Sequence, residues 1–90
     1  MRQTAEVEAL LRERLAPLAA TRFELADDSH LHAGHAGARE GGHYRIVIVS
    51  AAFSGKNTVA RHRMVFGLVG DLMRTHIHAL GIKALAPEEN

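Results

Sequence analysis

The stretch His43-Tyr44-Arg45-Ile46-Val47-Ile48-Val49-Ser50 constrains the fold of this 90-residue chain more than any other segment. It is β-branched and almost continuously apolar, which suits a central strand covered on much of both faces. Its neighbours are read from their periods. Thr21 to Asp27 sets Phe23 and Leu25 against Arg22 and Glu24, the alternation of a half-buried strand. Ile77 to Leu85 sets His78, Leu80, Ile82 and Ala84 against Ala79, Gly81 and Lys83, a third strand in which His78 falls at the start of the apolar side.

Two segments carry helical spacing instead. Thr4 is placed to cap a first helix, Glu6 sits against the positive end of its dipole, and Val7, Leu10, Leu11, Leu15 and Leu18 recur at intervals of three and four until Pro17 closes the element. Asn57 to Thr75 forms a longer pattern in which Val59, His62, Phe66, Val69 and Met73 define a stripe that Val65, Leu68 and Leu72 widen. Gly67 and Gly70 each weaken that helix by about 1 kcal/mol relative to Ala, so tertiary packing must hold it.

Residues 29 to 42 show no period and contain four glycines and three of the seven histidines. They read as a loop, and a loop this long is uncommon in a compact domain unless it carries a function. The order is therefore α-β-β-α-β: one mixed α+β domain over residues 1–90 with a three-stranded sheet and a short acidic tail, 86–90. The first two strands pair antiparallel, and the second helix is a crossover that makes the third strand parallel to the second. Parallel strands start at the same end of a sheet, here the end that carries the loop. His78 is thus expected to face His30, His32, His35 and His43.

Charge and composition narrow the function. Eleven Lys and Arg against ten Asp and Glu leave a formal +1, without the strong positive field of a dedicated nucleic-acid binder. There is no cysteine, which removes disulfides, thiolate nucleophiles and any self-sufficient cysteine-ligated cluster. No apolar run reaches the roughly 18 to 20 residues of a membrane span, and the first residues lack a secretory pattern, so a cytoplasmic location is expected.

Catalysis finds little support. Asp27 and Asp28 are adjacent on an extended chain and point to opposite sides, which suits strand-end solvation better than an acid/base pair. The strings Gly34-His35-Ala36-Gly37 and Gly67-Leu68-Val69-Gly70 lie between strands and inside a helix, where neither can clamp a nucleotide backbone between helices. Lys56, Arg61 and Arg63 cluster at the start of the second helix, as a solvated or partner-facing surface or as weak phosphate contacts. His30, His43 and His76 taken singly read as ordinary surface or satisfied histidines. His30-x-His32-x-x-His35 matches no Cys/His zinc pattern. An open pair of imidazoles completed by another protein's thiolates is the more attractive chemistry.

From about residue 4 to residue 88 the chain resembles the BolA family. The resemblance rests on Asp27-Asp28-Ser29 with the His-rich loop after it, on His43 to Ser50, and on Phe53-x-Gly55 followed by Arg61-His62-Arg63. Asp71-Leu72-Met73 and Ile77-His78-Ala79-Leu80 complete it. It implies a class II KH-like domain without the Gly-x-x-Gly clamp, its helices on one face of the sheet. It also implies a non-enzymatic adaptor that pairs with a monothiol glutaredoxin and, with glutathione, holds a bridging 2Fe-2S cluster in cluster trafficking or iron homeostasis. The chain on its own would be a monomer or a weak homodimer.

The family's cluster ligand in the third-strand motif falls on His78. A second comes from the loop, where the family spacing lands on His32 while His35 competes, and spacing does not choose between them. Some family members have been proposed as DNA-binding transcription regulators. The corresponding alternative here is DNA binding through Lys56, Arg61 and Arg63.

Overall fold

A computed structural model describes residues 2–28 and 42–90, with side chains from Thr4 onward. The chain runs through α1 (Arg2–Leu15), a 3₁₀ turn (Ala16–Leu18), β1 (Arg22–Asp27), β2 (Gly42–Val49) and a second 3₁₀ turn (Ala51–Phe53). It continues through α2 (Thr58–Val69), α3 (Leu72–Thr75), β3 (Ile77–Leu85) and a last 3₁₀ turn (Pro87–Glu89). The strands form one sheet in the order β1-β2-β3, with β1 antiparallel and β3 parallel to β2. This is the mixed three-stranded topology expected from the sequence.

The core lies between the helices and one face of the sheet. Val7, Leu11 and Leu15 recur at i+4 on α1 and are buried against Ile46 and Ile48 of β2, Val65 and Val69 of α2, Leu72 of α3 and Ile77 of β3. Phe53 is 0% exposed among them, presented by the turn that leaves β2. Ser50 makes that turn possible. It is itself 0% exposed, and its hydroxyl donates to Leu18 O at 2.5 Å while accepting from Ala52 N at 3.0 Å. Both roles of the hydroxyl are thus satisfied where an unpaired one would be costly. Gly55, at φ +78, turns the chain toward α2 in the left-handed region that a side chain disfavours, and Asn57 caps that helix by accepting from Ala60 N at 2.8 Å.

Four expectations are corrected. First, β2 is central but buried along one face, while on the other only Val49 at its end is fully buried. Arg45 on its other face is exposed, as are Arg22, Glu24, Gly81 and Lys83 around it. Second, α1 begins at Arg2, and Thr4 is not its cap, because its hydroxyl donates to the Asp27 carboxylate at the end of β1. Third, the long helix is two helices. It breaks at Gly70-Asp71, where tighter bonds from Met73 N to Gly70 O and Arg74 N to Asp71 O take over. Asp71 is held there by Arg14 of α1 at 2.8 Å. Fourth, the buried stripe of α2 is Val65 and Val69 continuing to Leu72, whereas Val59 and Phe66 stand 58% and 37% exposed. From Met64 to Val69 the helix carries no polar side chain, so its period alone does not orient it.

Long side chains cover the rim of this thin core: the Arg12 guanidinium lies 4.7 Å from the centre of the Phe23 ring. None of the helices among the described residues is long and apolar enough to cross a membrane. Phe53→Ala is expected to lower stability by about 3 to 5 kcal/mol, since it empties the middle of the core. A denaturant titration that moved the midpoint by less than a third of that amount would place the packing centre elsewhere.

Candidate functional site

The two parallel strands begin at the same end of the sheet, with a defect in their register. Gly42 pairs with Ile77, but the next residue, His43, pairs with Ala79, so His78 is an extra residue in the ladder. Strict alternation would put His78 on the core side with Leu80 and Ile82. The bulge instead gives the inward position to Ile77, which is 2% exposed, and leaves His78 exposed. Its ring lies beside His43, with centroids 4.9 Å apart and planes tilted by 52°. The expected juxtaposition of His78 with His43 is present, reached by a bulge rather than along the apolar side of a regular strand. His30, His32 and His35 lie outside the described residues.

The surroundings hold this end in place. Asp28 N donates to His43 O at 2.7 Å and Gly42 N to His76 O at 3.2 Å, which anchors both ends of the segment joining β1 to β2. A Cβ on Gly42 would stand 2.2 Å from the Tyr44 ring, so any larger residue at the entry to β2 requires that buried ring to move. Burial, then the charge of Asp27, pushes the Tyr44 hydroxyl above its ordinary pKa. Asp27 reaches Thr4 on the helix side, while Asp28 pairs with Arg45 on the open face at 2.5 Å. The two carboxylates diverge as adjacent residues of an extended chain do. His76 bridges α3 and α1, with Nδ1 2.8 Å from Thr75 Oγ1 and Nε2 3.2 Å from Glu6. Among the described residues no group of three or more His, Cys, Asp or Glu is arranged to hold a metal ion.

The basic residues at the start of α2 do not present one exposed cluster. Lys56 and Arg63 are exposed. Arg61 is directed inward: its guanidinium donates to both oxygens of Glu89 at 2.6 and 2.9 Å, to Ala84 O at 2.9 Å and to Lys56 O at 2.8 Å, leaving the side chain 11% exposed. It ties the last turn to β3 and α2. The hydrogen bonds from Arg61, with that from Ala86 N–H, pull the Glu89 carboxyl from 4.5 down to about 2. Sequence spacing gave no signal of this 28-residue link, nor of the Asp28–Arg45 pair across the strands.

The fold and this end of the sheet define a small α+β domain in which a parallel strand pair and a His-rich connection meet at one edge. Comparison with known proteins identifies the class. Residues 11–89 match the family model described as BolA-like protein. SufE-like protein 1, chloroplastic/mitochondrial, from Arabidopsis thaliana is 40% identical over 86 residues, covering 88% of this chain and 23% of that protein. The solved BolA domain of SufE1 from that plant superposes with a TM-score of 0.76 at 42% identity, covering 89% of this chain and 91% of that one. Protein BOLA1, chloroplastic, from the same plant is 38% identical over 85 residues, covering 89% of this chain and 53% of that protein. The chain thus spans about a quarter and about half of the length of these two relatives. The DNA-binding transcriptional regulator BolA of Haemophilus influenzae is 35% identical over 65 residues, which is 72% of this chain and 61% of that protein. This chain belongs to the BolA-like family.

The Arg61–Glu89 pair carries a pH prediction. Because the folded carboxyl titrates below its unfolded value, its contribution to stability is present above about 4.5 and is lost as pH falls toward about 2. Glu89→Gln is expected to flatten stability against pH across that window. Equal slopes for the two proteins in denaturant titrations would show that the pair contributes nothing.

Proposed function

We propose that this chain is a non-enzymatic iron-sulfur adaptor that binds a monothiol glutaredoxin and co-ligates a bridging 2Fe-2S cluster in cluster trafficking or iron homeostasis. The observation that supports the reading most directly is the exposure of His78 at the sheet end to which the His-rich segment is joined. His78 is one ligand, and His32 or His35 is the other. The donor chemistry fits such a group. The chain holds seven histidines and no cysteine, so it offers neutral nitrogen donors, while the partner and glutathione supply the anionic thiolates. Imidazole ligation raises the cluster's reduction potential relative to all-thiolate ligation.

The protein's own part is positional. Ladder bonds on both sides of β2 and the bulge at His78 hold one imidazole at a fixed place, so only the other has to be brought by the connecting segment. His78→Ala, combined with a monothiol glutaredoxin, glutathione, iron and sulfide, is expected to lose the visible circular dichroism of the mixed complex. Alanine at only one of His32 and His35 should do the same. A heterodimer spectrum unchanged by His78→Ala would remove the ligand assignment.

A second reading, transcription regulation by DNA binding, is favoured by the name of the Haemophilus relative, a DNA-binding transcriptional regulator, and by the exposed Lys56 and Arg63. With Arg61 engaged by Glu89, two phosphate contacts give a log–log salt slope of only about −2. DNA affinity that is unaffected by Lys56→Ala with Arg63→Ala, or that has no salt slope, would exclude this surface.

A further inference from the structure

Arg61 is arranged as a receptor for an oxyanion, and the chain fills it with its own carboxylate. Backbone carbonyls set the plane of the guanidinium, Nε donating to Lys56 O at 2.8 Å and Nη1 to Ala84 O at 2.9 Å. The fork formed by Nη1 and Nη2 then closes on the two oxygens of Glu89 at 2.6 and 2.9 Å. Arginine takes carboxylate and phosphate in this same bidentate geometry. Glu89 is itself held in place, since its Oε1 also accepts from Ala86 N at 2.9 Å, and Ser54 Oγ donates to the adjacent Glu88 at 3.3 Å. The carboxylate is the more open member of the pair, 42% exposed against 11% for the Arg61 side chain. Cations surround it. Lys56, Arg63 and Lys83 are exposed and make no ion pair with any described residue, and Arg61 and Lys83 line, with Thr58 and His62, a cleft of about 260 Å³ between the start of α2 and the end of β3.

We propose that Glu89 occupies a phosphate seat and masks Arg61 from a nucleic-acid backbone, so that removing its charge turns a two-contact surface, Lys56 and Arg63, into a three-contact one. This masking rests on the DNA-binding reading and sets its strength. A carboxylate tethered beside its cation stands at an effective concentration on the order of millimolar, so an isolated phosphate gains little by replacing it. Arg61 keeps its backbone bonds to Lys56 and Ala84 in either state, and only the fork facing Glu89 changes its occupant.

The test measures binding of a short DNA duplex by the full chain across a salt series, for the wild type, Glu89→Gln and Glu88→Gln. Glu88→Gln removes an equal charge beside the pair without touching Arg61, and so reports the effect of net charge alone. Circular dichroism confirms folding, Glu89→Ala serves as a second variant, and the Arg61 Nε–H signal is followed by nuclear magnetic resonance as DNA is added. The expected result is a log–log slope of about −2 for the wild type and Glu88→Gln and of about −3 for Glu89→Gln, with the Arg61 signal shifted by DNA only in the last. Equal slopes for the wild type and Glu89→Gln, equal steepening in Glu88→Gln, a shifted Arg61 signal in the wild type, or no binding by any of the three overturns the proposal. A steeper slope in Glu89→Gln that survives Lys56→Ala with Arg63→Ala upholds the seat at Arg61 and removes the surface assigned to DNA. Binding that depends on Lys56 and Arg63 but is indifferent to Glu89 does the reverse.

Discussion

The parallel ladder between β2 and β3 is the constraint on which the rest of the molecule depends. Two parallel strands cannot be joined by a short turn, so the chain must leave one end of the sheet, cross a face and re-enter at the other. That requirement calls for α2 and α3, and it supplies the helical layer that, with α1, buries Ile46 and Ile48. It also makes the start of β3 a neighbour of the start of β2. His78 therefore meets His43 although 35 positions separate them.

The ladder carries one defect, and the defect decides which side chain is packed and which faces outward. By inserting one residue opposite the Gly42–His43 step, the sheet buries Ile77 and turns His78 outward. Without the insertion a polar imidazole would sit among Leu80 and Ile82, where a neutral ring needs a partner and a charged one is expensive. Gly42 belongs to the same arrangement, since the Tyr44 ring occupies the space where its side chain would be.

A chain of this size buries little, and polar links at its margins complete what the core begins. Arg14 fixes the break between α2 and α3 to α1, Ser50 joins β2 to the turn after α1, and Arg61 gathers Lys56, Ala84 and Glu89. The last of these places a basic residue in a structural role although its sequence neighbourhood suggests a surface for anions. Lys56 and Arg63 keep that outward character because nothing of opposite charge is folded against them among the described residues.

Much of the fold is legible in the sequence. The β-branched run at 43–50 marked the central strand, the alternation at 21–27 and 77–85 marked its partners, and the element order then fixed a parallel pair with His43 and His78 at one end. These follow from local periodicity, which each segment carries in its own side chains. The same periodicity misplaced Val59 and Phe66 in the core, gave β2 two covered faces and ran α2 through Gly70, because it does not say which neighbours are available for burial. The side of the sheet that the helices cover, the bulge that turns His78 outward, the use of Thr4 for Asp27 and the capture of Arg61 by Glu89 were decided only in the tertiary structure. Each depends on residues far apart in the chain satisfying one another's volume, hydrogen bonds or charge, and no local pattern encodes such a pairing.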